Sequence, residues 1–216
     1  MIFQNRLDAA RRLTEELAPW RGKNPLVLAI PRGAVPMAAE IAEALDGDLD
    51  VVLVHKIGAP GRPEYAIGSV SEAGQVFIDP EVRRIGVDIG HVEREVLAQR
   101  KAMKNRRRMY TPACPPVPPK GRNVIIVDDG LATGWTMVAA LKTLRALKPA
   151  RLIAAAAVAP PDTLDRIRSL ADDVICLEAP PSFVAVGQFF EDFSPVTDGE
   201  VMRIMKAFKK RHPAHV

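Results

Sequence analysis

The feature that decides the fold is the stretch Val124-Ile-Ile-Val-Asp-Asp-Gly-Leu-Ala-Thr-Gly-Trp-Thr136. Its four leading apolar residues are typical of a buried strand in a parallel sheet, and its last residue begins a helix predicted over 136–147. Two adjacent carboxylates and a loop of small residues are therefore predicted at the carboxyl end of a strand. Open α/β sheets bind their ligands at that edge.

This stretch offers two kinds of polar group to a ligand. The N–H groups at the helix start and the hydroxyls of Thr133 and Thr136 predict a phosphate site. Asp128 and Asp129 would repel a phosphate and instead suit hydroxyl donors, such as a ribose 2′,3′-diol. The alternative is an ordinary strand that ends in Asp for turn and capping reasons, and the pattern as a whole favours the ligand site. It is not a Walker loop, because no Gly-Lys-Ser/Thr occurs.

The sequence on both sides of this stretch predicts strands that alternate with helices. Apolar runs predict strands at 26–30, 50–56, 123–127, 151–158 and 174–177. Helical periodicity predicts helices at 7–17, 37–45, 88–110, 136–147, 161–170 and from about 197. Gly and Pro predict a loop at 57–64, a β-hairpin at 66–78 and an extended connector at 111–120. The short connections indicate a parallel sheet with crossover helices.

Length and composition indicate a single domain over residues 1–216. Hydrophobic residues make up 48% and charged residues 26%, which is ordinary for a globular protein. Two cysteines are too few for a disulfide framework or a zinc site. The longest apolar run, 152–159, is far shorter than the roughly 20 residues of a membrane span. No signal peptide is readable, so we expect a cytoplasmic protein.

Four segments together resemble the type I phosphoribosyltransferase family. The stretch 124–136 resembles the motif that binds phosphoribosyl diphosphate (PRPP), and Ile30-Pro-Arg-Gly-Ala34 resembles the pyrophosphate loop. Residues 56–71 resemble the flexible catalytic loop that leads into a hairpin, and 182–192 resemble the hood. The whole chain is similar to bacterial predicted phosphoribosyltransferases whose acceptor is unassigned. The resemblance implies an α/β fold: a parallel sheet flanked by helices, with an inserted β-hairpin (57–78), a basic helix with a Pro-rich connector (88–120) and a small hood (180–195).

The resemblance also implies a reaction and a set of site residues. A nitrogenous base, a purine rather than a pyrimidine, would attack C1′ of PRPP and release pyrophosphate, with Mg²⁺ bound to the substrate. The chain would form a homo-oligomer. The implied catalytic residues are Glu64, Asp128 and Asp129. The implied PRPP-binding residues are Arg32, Gly33, Lys56, Asp128, Asp129, Leu131, Ala132, Thr133, Gly134 and Thr136, and the implied base-binding residues are Phe189 and Phe190.

The sequence departs from the family pattern at two positions. Ala132 stands where hypoxanthine-type enzymes have a carboxylate that handles a purine proton, so Glu64 becomes the candidate acid/base. Glu64 could equally be a solvated loop carboxylate. Trp135 replaces a usually small residue and could close over the loop or pack on the surface. Phe189 and Phe190 could stack on a planar base, or they could close the end of the sheet.

A second hypothesis comes from the distribution of charge. The net charge of +4 consists of +5 in residues 91–110, +5 in residues 201–216 and −6 in the rest of the chain. The basic helix carries Arg94, Arg100, Lys101, Lys104 and Arg106-Arg107-Arg108. The alternative function is therefore a regulator with the same fold, which senses PRPP or a nucleotide and binds nucleic acid. The intact carboxylate pair favours the enzyme.

Overall fold

The computed structural model describes residues 2–72, 74–78, 82, 86 and 88–212, apart from the side chains of 63–66. Its strands are β1 (Leu26–Ala29), β2 (Asp48–Val51), β3 (Val54–Ala59), β4 (Arg62–Ser71), β5 (Val76–Ile78), β6 (Asn123–Asp128), β7 (Arg151–Val158) and β8 (Asp173–Glu178). Its α-helices are α1 (Arg6–Glu16), α2 (Val35–Leu45), α3 (Ile89–Tyr110), α4 (Trp135–Ala146), α5 (Pro161–Arg168) and α6 (Asp198–Arg211).

A five-stranded parallel sheet forms the centre of the fold, in the order β2-β1-β6-β7-β8. Successive residues of a strand point to opposite faces, so Val124 and Ile126 pack in one apolar cluster and Ile125 and Val127 in the other. Helices α1, α2 and α6 cover one face, while α4 and α5 cover the other. Burial on both faces explains why the strands read as continuous apolar runs.

The predicted strand 50–56 is wrong, because the structure divides it between two sheets. β2 ends at Val51 and pairs with β1 in the parallel sheet, whereas β3 begins at Val54 and pairs with β4 in an antiparallel sheet. The two residues between the strands, Val52 and Leu53, are buried. Because the whole segment is apolar, hydrophobicity alone could not reveal the change of sheet.

The predicted loop 57–64 is also wrong, because its residues belong to the ends of β3 and β4. These strands and β5 form a three-stranded antiparallel sheet in the order β3-β4-β5. Pro60 and Gly61 make the turn, and Gly61 has a φ of 70°, which glycine adopts without steric cost. The Gly and Pro residues therefore mark a tight hairpin turn, and the pairing is irregular beside it, between Ile57 and Ala59.

Candidate functional site

The carboxylate pair lies at the carboxyl end of β6, as the sequence predicts. Asp128 is the last residue of the strand, and its Oδ1 accepts a hydrogen bond of 3.0 Å from the N–H of Asp129. Burial raises the pKa of Asp128, and the neighbouring charge of Asp129 raises it further. Burial also raises the pKa of Asp129, although Arg6 opposes this effect. Two half-buried carboxylates at a sheet edge are suited to accepting hydrogen bonds from ligand hydroxyls.

Arg6 completes this pair, and sequence reasoning missed it. It is the first residue of α1, and its Nε donates a 2.8 Å hydrogen bond to Oδ2 of Asp129. Its Nη1 donates a 2.8 Å bond to the carbonyl of Ser194, and its guanidinium lies 3.9 Å from the ring centroid of Phe193. The partners are 123 residues apart in sequence, and no local pattern signals their contact.

The loop that follows β6 is held from behind by α5. The hydroxyl of Thr163 donates a 2.9 Å hydrogen bond to the carbonyl of Ala132, and Arg166 donates a 2.5 Å bond to the carbonyl of Thr133. Two carbonyls of the loop therefore face α5. The first turn of α4 leaves N–H groups without intrahelical acceptors, and these groups are available to an anion.

Gly134 and Trp135 form the junction between this loop and α4. Gly134 is the N-cap residue, with a φ of 73°, and a Cβ there would lie 2.7 Å from Cγ2 of Thr163. Glycine is therefore required by both conformation and space. Trp135 is half-buried, and the guanidinium of Arg166 lies 5.1 Å from its ring centroid. The tryptophan thus packs on the arginine that holds the loop.

Among the loop residues predicted to bind PRPP, Ala132, Thr133 and Thr136 are exposed or half-buried and remain candidates. Leu131 differs from these residues in being buried, and its role in binding the phosphate stays a prediction. Its side chain is buried at 2% exposure, and its N–H donates a 2.8 Å hydrogen bond to the carbonyl of Val158. Leu131 therefore anchors the loop to the core.

The loop between β1 and α2 approaches the carboxylate pair closely. It contains a cis peptide bond between Pro31 and Arg32. A Cβ on Gly33 would lie only 2.1 Å from Oδ2 of Asp129, so a side chain cannot be accommodated there. The sequence predicts that Gly33 lets a pyrophosphate approach the backbone. In the structure, the space that a side chain of Gly33 would occupy is filled by the carboxylate of Asp129.

The side chain of Arg32 extends to a different carboxylate. Its Nη1 lies 3.6 Å from Oδ2 of Asp198, at the start of α6. The hydroxyl of Tyr110 donates a hydrogen bond to the same carboxylate, and Nε of Arg106 lies 3.5 Å from it. Burial and this carboxylate raise the pKa of Tyr110. Asp198 thus connects the loop after β1 with the end of α3.

Two predicted residues lie in the antiparallel sheet. Lys56 is half-buried in β3, where it pairs with Ser69 of β4. The backbone of Glu64 belongs to β4, whereas its side chain lies outside the described residues. β3 and β4 pack against α4, the helix that begins at the proposed phosphate site. The roles of Lys56 and Glu64 stay predictions.

Phe189 and Phe190 belong to the hood and are almost completely buried, at 9% and 6% exposure. The ring of Phe190 packs on Phe3 and Phe193 at centroid distances of 5.3 and 5.0 Å, and Phe189 stacks on Phe183 at 5.7 Å. The backbone of Phe3 also forms two hydrogen bonds with the hood: its N–H donates to the carbonyl of Phe189, and its carbonyl accepts from the N–H of Glu191. These contacts favour the alternative in which both residues close the end of the sheet over stacking on a base.

On the basic helix α3, the side chain of Arg107 is bonded into the fold. Arg107 donates hydrogen bonds to Asp50 (2.9 Å), to Glu72 (2.9 and 2.6 Å) and to the carbonyl of Val51 (2.7 Å). These bonds join α3 to both sheets, and the Arg107 side chain is only 18% exposed. Arg107 therefore does not belong to a solvated basic face.

Neither a metal cluster nor a membrane span is found in the part of the chain that the structure describes. No group of three or more His, Cys, Asp or Glu side chains within those residues could hold a metal ion. None of the helices described there combines the length and the apolar character needed to cross a bilayer.

Comparison with known proteins identifies relatives over most of the chain. The family model of the phosphoribosyl transferase domain matches residues 1–194. The crystal structure of TT1426 from Thermus thermophilus is 42% identical, with a TM-score of 0.84, and the match covers 96% of this chain and 99% of that one. Two Mycobacterium tuberculosis proteins, from strains CDC 1551 and H37Rv, are 37% identical over 205 residues, and their names assign them provisionally as phosphoribosyl transferases. The match covers 94% of this chain and 46% of theirs, so the chain spans about half the length of these curated relatives.

Proposed function

Because the chain belongs to the phosphoribosyltransferase family, we propose that it transfers the 5-phosphoribosyl group of PRPP to a nitrogenous base. A purine is the proposed acceptor class. The observation that carries the proposal is the carboxylate pair Asp128 and Asp129, which is followed directly by a loop whose carbonyls are tied to α5. Carboxylates that can accept hydrogen bonds from ribose hydroxyls then lie beside N–H and O–H groups that can donate to a phosphate. A ribose 5-phosphate requires both.

In the proposed complex, each part of PRPP meets a different element. Asp128 and Asp129 accept hydrogen bonds from the ribose hydroxyls, while the hydroxyls of Thr133 and Thr136 and the N–H groups at the start of α4 bind the 5′-phosphate. Arg32, whose Nη1 lies 3.6 Å from Asp198, would turn from that carboxylate to add a positive charge beside the pyrophosphate. Mg²⁺ would be held by the phosphate oxygens of the substrate, which this ion prefers, and would neutralise part of their charge.

The proposed reaction needs no covalent nucleophile from the protein. A ring nitrogen of the base forms a bond to C1′, and the bond between C1′ and the pyrophosphate oxygen breaks. Pyrophosphate leaves with the electron pair, and the proton on the attacking nitrogen passes to Glu64 or to water. Donors aimed at the departing pyrophosphate stabilise its developing negative charge. Assembly into a homo-oligomer stays a prediction.

The test is a panel of purines, pyrimidines and other nitrogen nucleophiles incubated with PRPP and Mg²⁺, with pyrophosphate release as the readout. We expect release with at least one base and a loss of about 100-fold or more in Asp129→Asn. Asp173→Asn is the matched control, because Asp173 begins β8 at the opposite edge of the sheet and pairs with Arg151 at the surface. Equal rates for wild type and Asp129→Asn would contradict the proposal.

The regulator hypothesis retains one supporting observation. A surface concavity of about 580 Å³ on α3 has a mostly basic lining, which also contains the ion-paired Glu72 and Arg107; its other residues are Leu97, Arg100, Lys101, Lys104 and Arg108. A pure regulator would bind nucleic acid with strong salt dependence and consume no PRPP. Charge reversal by Lys101→Glu and Lys104→Glu would then abolish binding, whereas it would leave pyrophosphate release unchanged in the enzyme.

A further inference from the structure

Arg6 lies in α1, outside every segment that carries the proposed site, yet its guanidinium touches the carboxylate pair. We infer that Arg6 is a positioning residue: it holds Oδ2 of Asp129 so that the other oxygen, Oδ1, can accept a hydrogen bond from a ribose hydroxyl. The inference rests on the proposed function and deepens it. Arg6 touches the carboxylate and no reacting atom, so it acts through Asp129.

Oδ2 of Asp129 is enclosed by Arg6 on one side and by the backbone of Gly33 on the other. Nε of Arg6 donates to Oδ2 at 2.8 Å, and a Cβ on Gly33 would come within 2.1 Å of Oδ2 and 3.3 Å of that same Nε. The side chains of Arg6 and Asp129 are only 12% and 13% exposed. A charge-assisted bond with so little solvent is stronger and more directional than a surface ion pair. Oδ2 is therefore committed to the protein.

The other side of the guanidinium is fixed as well. Nη1 donates to the carbonyl of Ser194 at 2.8 Å, and the ring of Phe193 lies 3.9 Å below the guanidinium carbon. The helix start is set by Asn5, whose side chain accepts from the N–H groups of Leu7 and Asp8. Arg6 is thus oriented by its own helix and by the last residues of the hood, Phe193 and Ser194.

The electrostatic consequence concerns a substrate with several negative charges. Asp128 precedes Asp129 at the end of β6, Arg6 faces Asp129 from α1, and a backbone hydrogen bond from Gly130 also lowers the pKa of Asp129, while the Arg32 side chain in the loop after β1 is directed to Asp198. Arg6 lowers the pKa of Asp129 against the effect of burial. Arg6 therefore favours the ionised form of Asp129, although burial still holds the pKa of this carboxyl above its ordinary value, and Arg6 compensates the negative charge locally.

The experiment measures binding of PRPP with Mg²⁺ by calorimetry between pH 5 and 8, in wild type, Arg6→Gln, Arg6→Lys and Phe193→Leu. Inorganic pyrophosphate with Mg²⁺ is the second probe, because it has no ribose. We expect Arg6→Gln to weaken PRPP binding about 10- to 100-fold and pyrophosphate binding by less than about twofold. Arg6→Lys restores the charge and should recover part of the affinity.

The pH dependence separates positioning from a merely structural role. Without Arg6 the pKa of Asp129 rises, so PRPP affinity in Arg6→Gln should start to fall at a higher pH than in wild type as the solution is acidified. Phe193→Leu removes the ring but keeps the bond to Asp129, so it should retain the wild-type pH profile. Thermal unfolding of each variant verifies that it is folded.

The results distinguish the inference from the function on which it rests. If wild type binds PRPP and Arg6→Gln binds it equally well, or if Arg6→Gln and Phe193→Leu share one pH profile, the positioning role is wrong and the proposed function stands. If wild type binds no PRPP, the proposed function is wrong, and the role of Arg6 is refuted with it.

Discussion

Replacing Arg107 by Met should destabilise the protein, because it leaves the buried Asp50 without its counter-ion. Asp50 is 3% exposed and accepts bonds from Arg107, from the N–H of Val51 (2.7 Å) and from the N–H of Val117 (3.1 Å). Breaking a buried ion pair on one side costs about 3–5 kcal/mol. Asp50 keeps its two backbone donors in the variant, and the Glu72 side chain is 30% exposed and can be solvated. We therefore expect a loss at the lower end of this range, about 3 kcal/mol.

The loss of stability should depend on pH in a defined direction. Burial raises the pKa of Asp50 above its ordinary value, although Arg107 opposes the effect, so the pKa must rise further in Arg107→Met. When a carboxyl has a higher pKa in the folded than in the unfolded state, its ionisation destabilises the folded state, and the effect is complete at a pH above the folded pKa. This destabilisation is relieved as the pH falls toward the unfolded value of about 3.9. The difference between variant and wild type should therefore be smaller at pH 5 than at pH 7.

Urea unfolding, followed by the fluorescence of Trp20 and Trp135, measures both quantities. The matched control is Arg108→Met, because Arg108 is the next residue of α3 and is exposed. It should change the free energy of unfolding by no more than about 0.5 kcal/mol. Surface ion pairs contribute less than about 1 kcal/mol to the free energy of unfolding. A loss that small in Arg107→Met would therefore refute the reasoning. So would a loss that does not shrink at pH 5.

Two further substitutions test the loops of the proposed site. Gly33→Ala should abolish PRPP binding in calorimetry, because the new Cβ would lie 2.1 Å from Oδ2 of Asp129 and must displace the carboxylate. The control is Gly199→Ala, whose Cβ meets no neighbour closer than 3.9 Å. Retained affinity in Gly33→Ala would disprove the close approach. Thr163→Val should cost about 1 kcal/mol in urea unfolding and weaken PRPP binding, because it removes the 2.9 Å bond to the carbonyl of Ala132. Thr163→Ser keeps the hydroxyl and should retain the wild-type affinity for PRPP, and a Val variant that binds PRPP as well as the Ser variant would contradict the role of this bond.

The elements of the fold that depend on local pattern were predictable. The strands of the parallel sheet other than 50–56, and the helices that cover it, follow from apolar runs and helical periodicity, which reflect burial on one or both faces of an element. The stretch 124–136 was informative for the same reason: the strand end, the carboxylates, the loop and the helix start are contiguous in sequence. Their juxtaposition needs no knowledge of the rest of the fold.

Other features depend on where distant segments meet. The change from β2 to β3 leaves no trace in an apolar run, because both sheets bury the same kind of side chain. The basic helix read as a uniform charged surface, but Arg107 turns inward to Asp50 and Glu72. The contact of Phe190 with Phe3, from the other end of the chain, leaves no local signal in the sequence.

The sequence by itself indicated the class of fold, the family and the position of the carboxylate pair, because each of these follows from patterns within short segments. Only the tertiary structure decided what surrounds that pair. Arg6 meets Asp129 across 123 residues, and Gly33 approaches the same carboxylate from the loop after β1. Such contacts depend on how the helices and loops pack against the sheet, and packing joins residues whose separation along the chain carries no periodic signal.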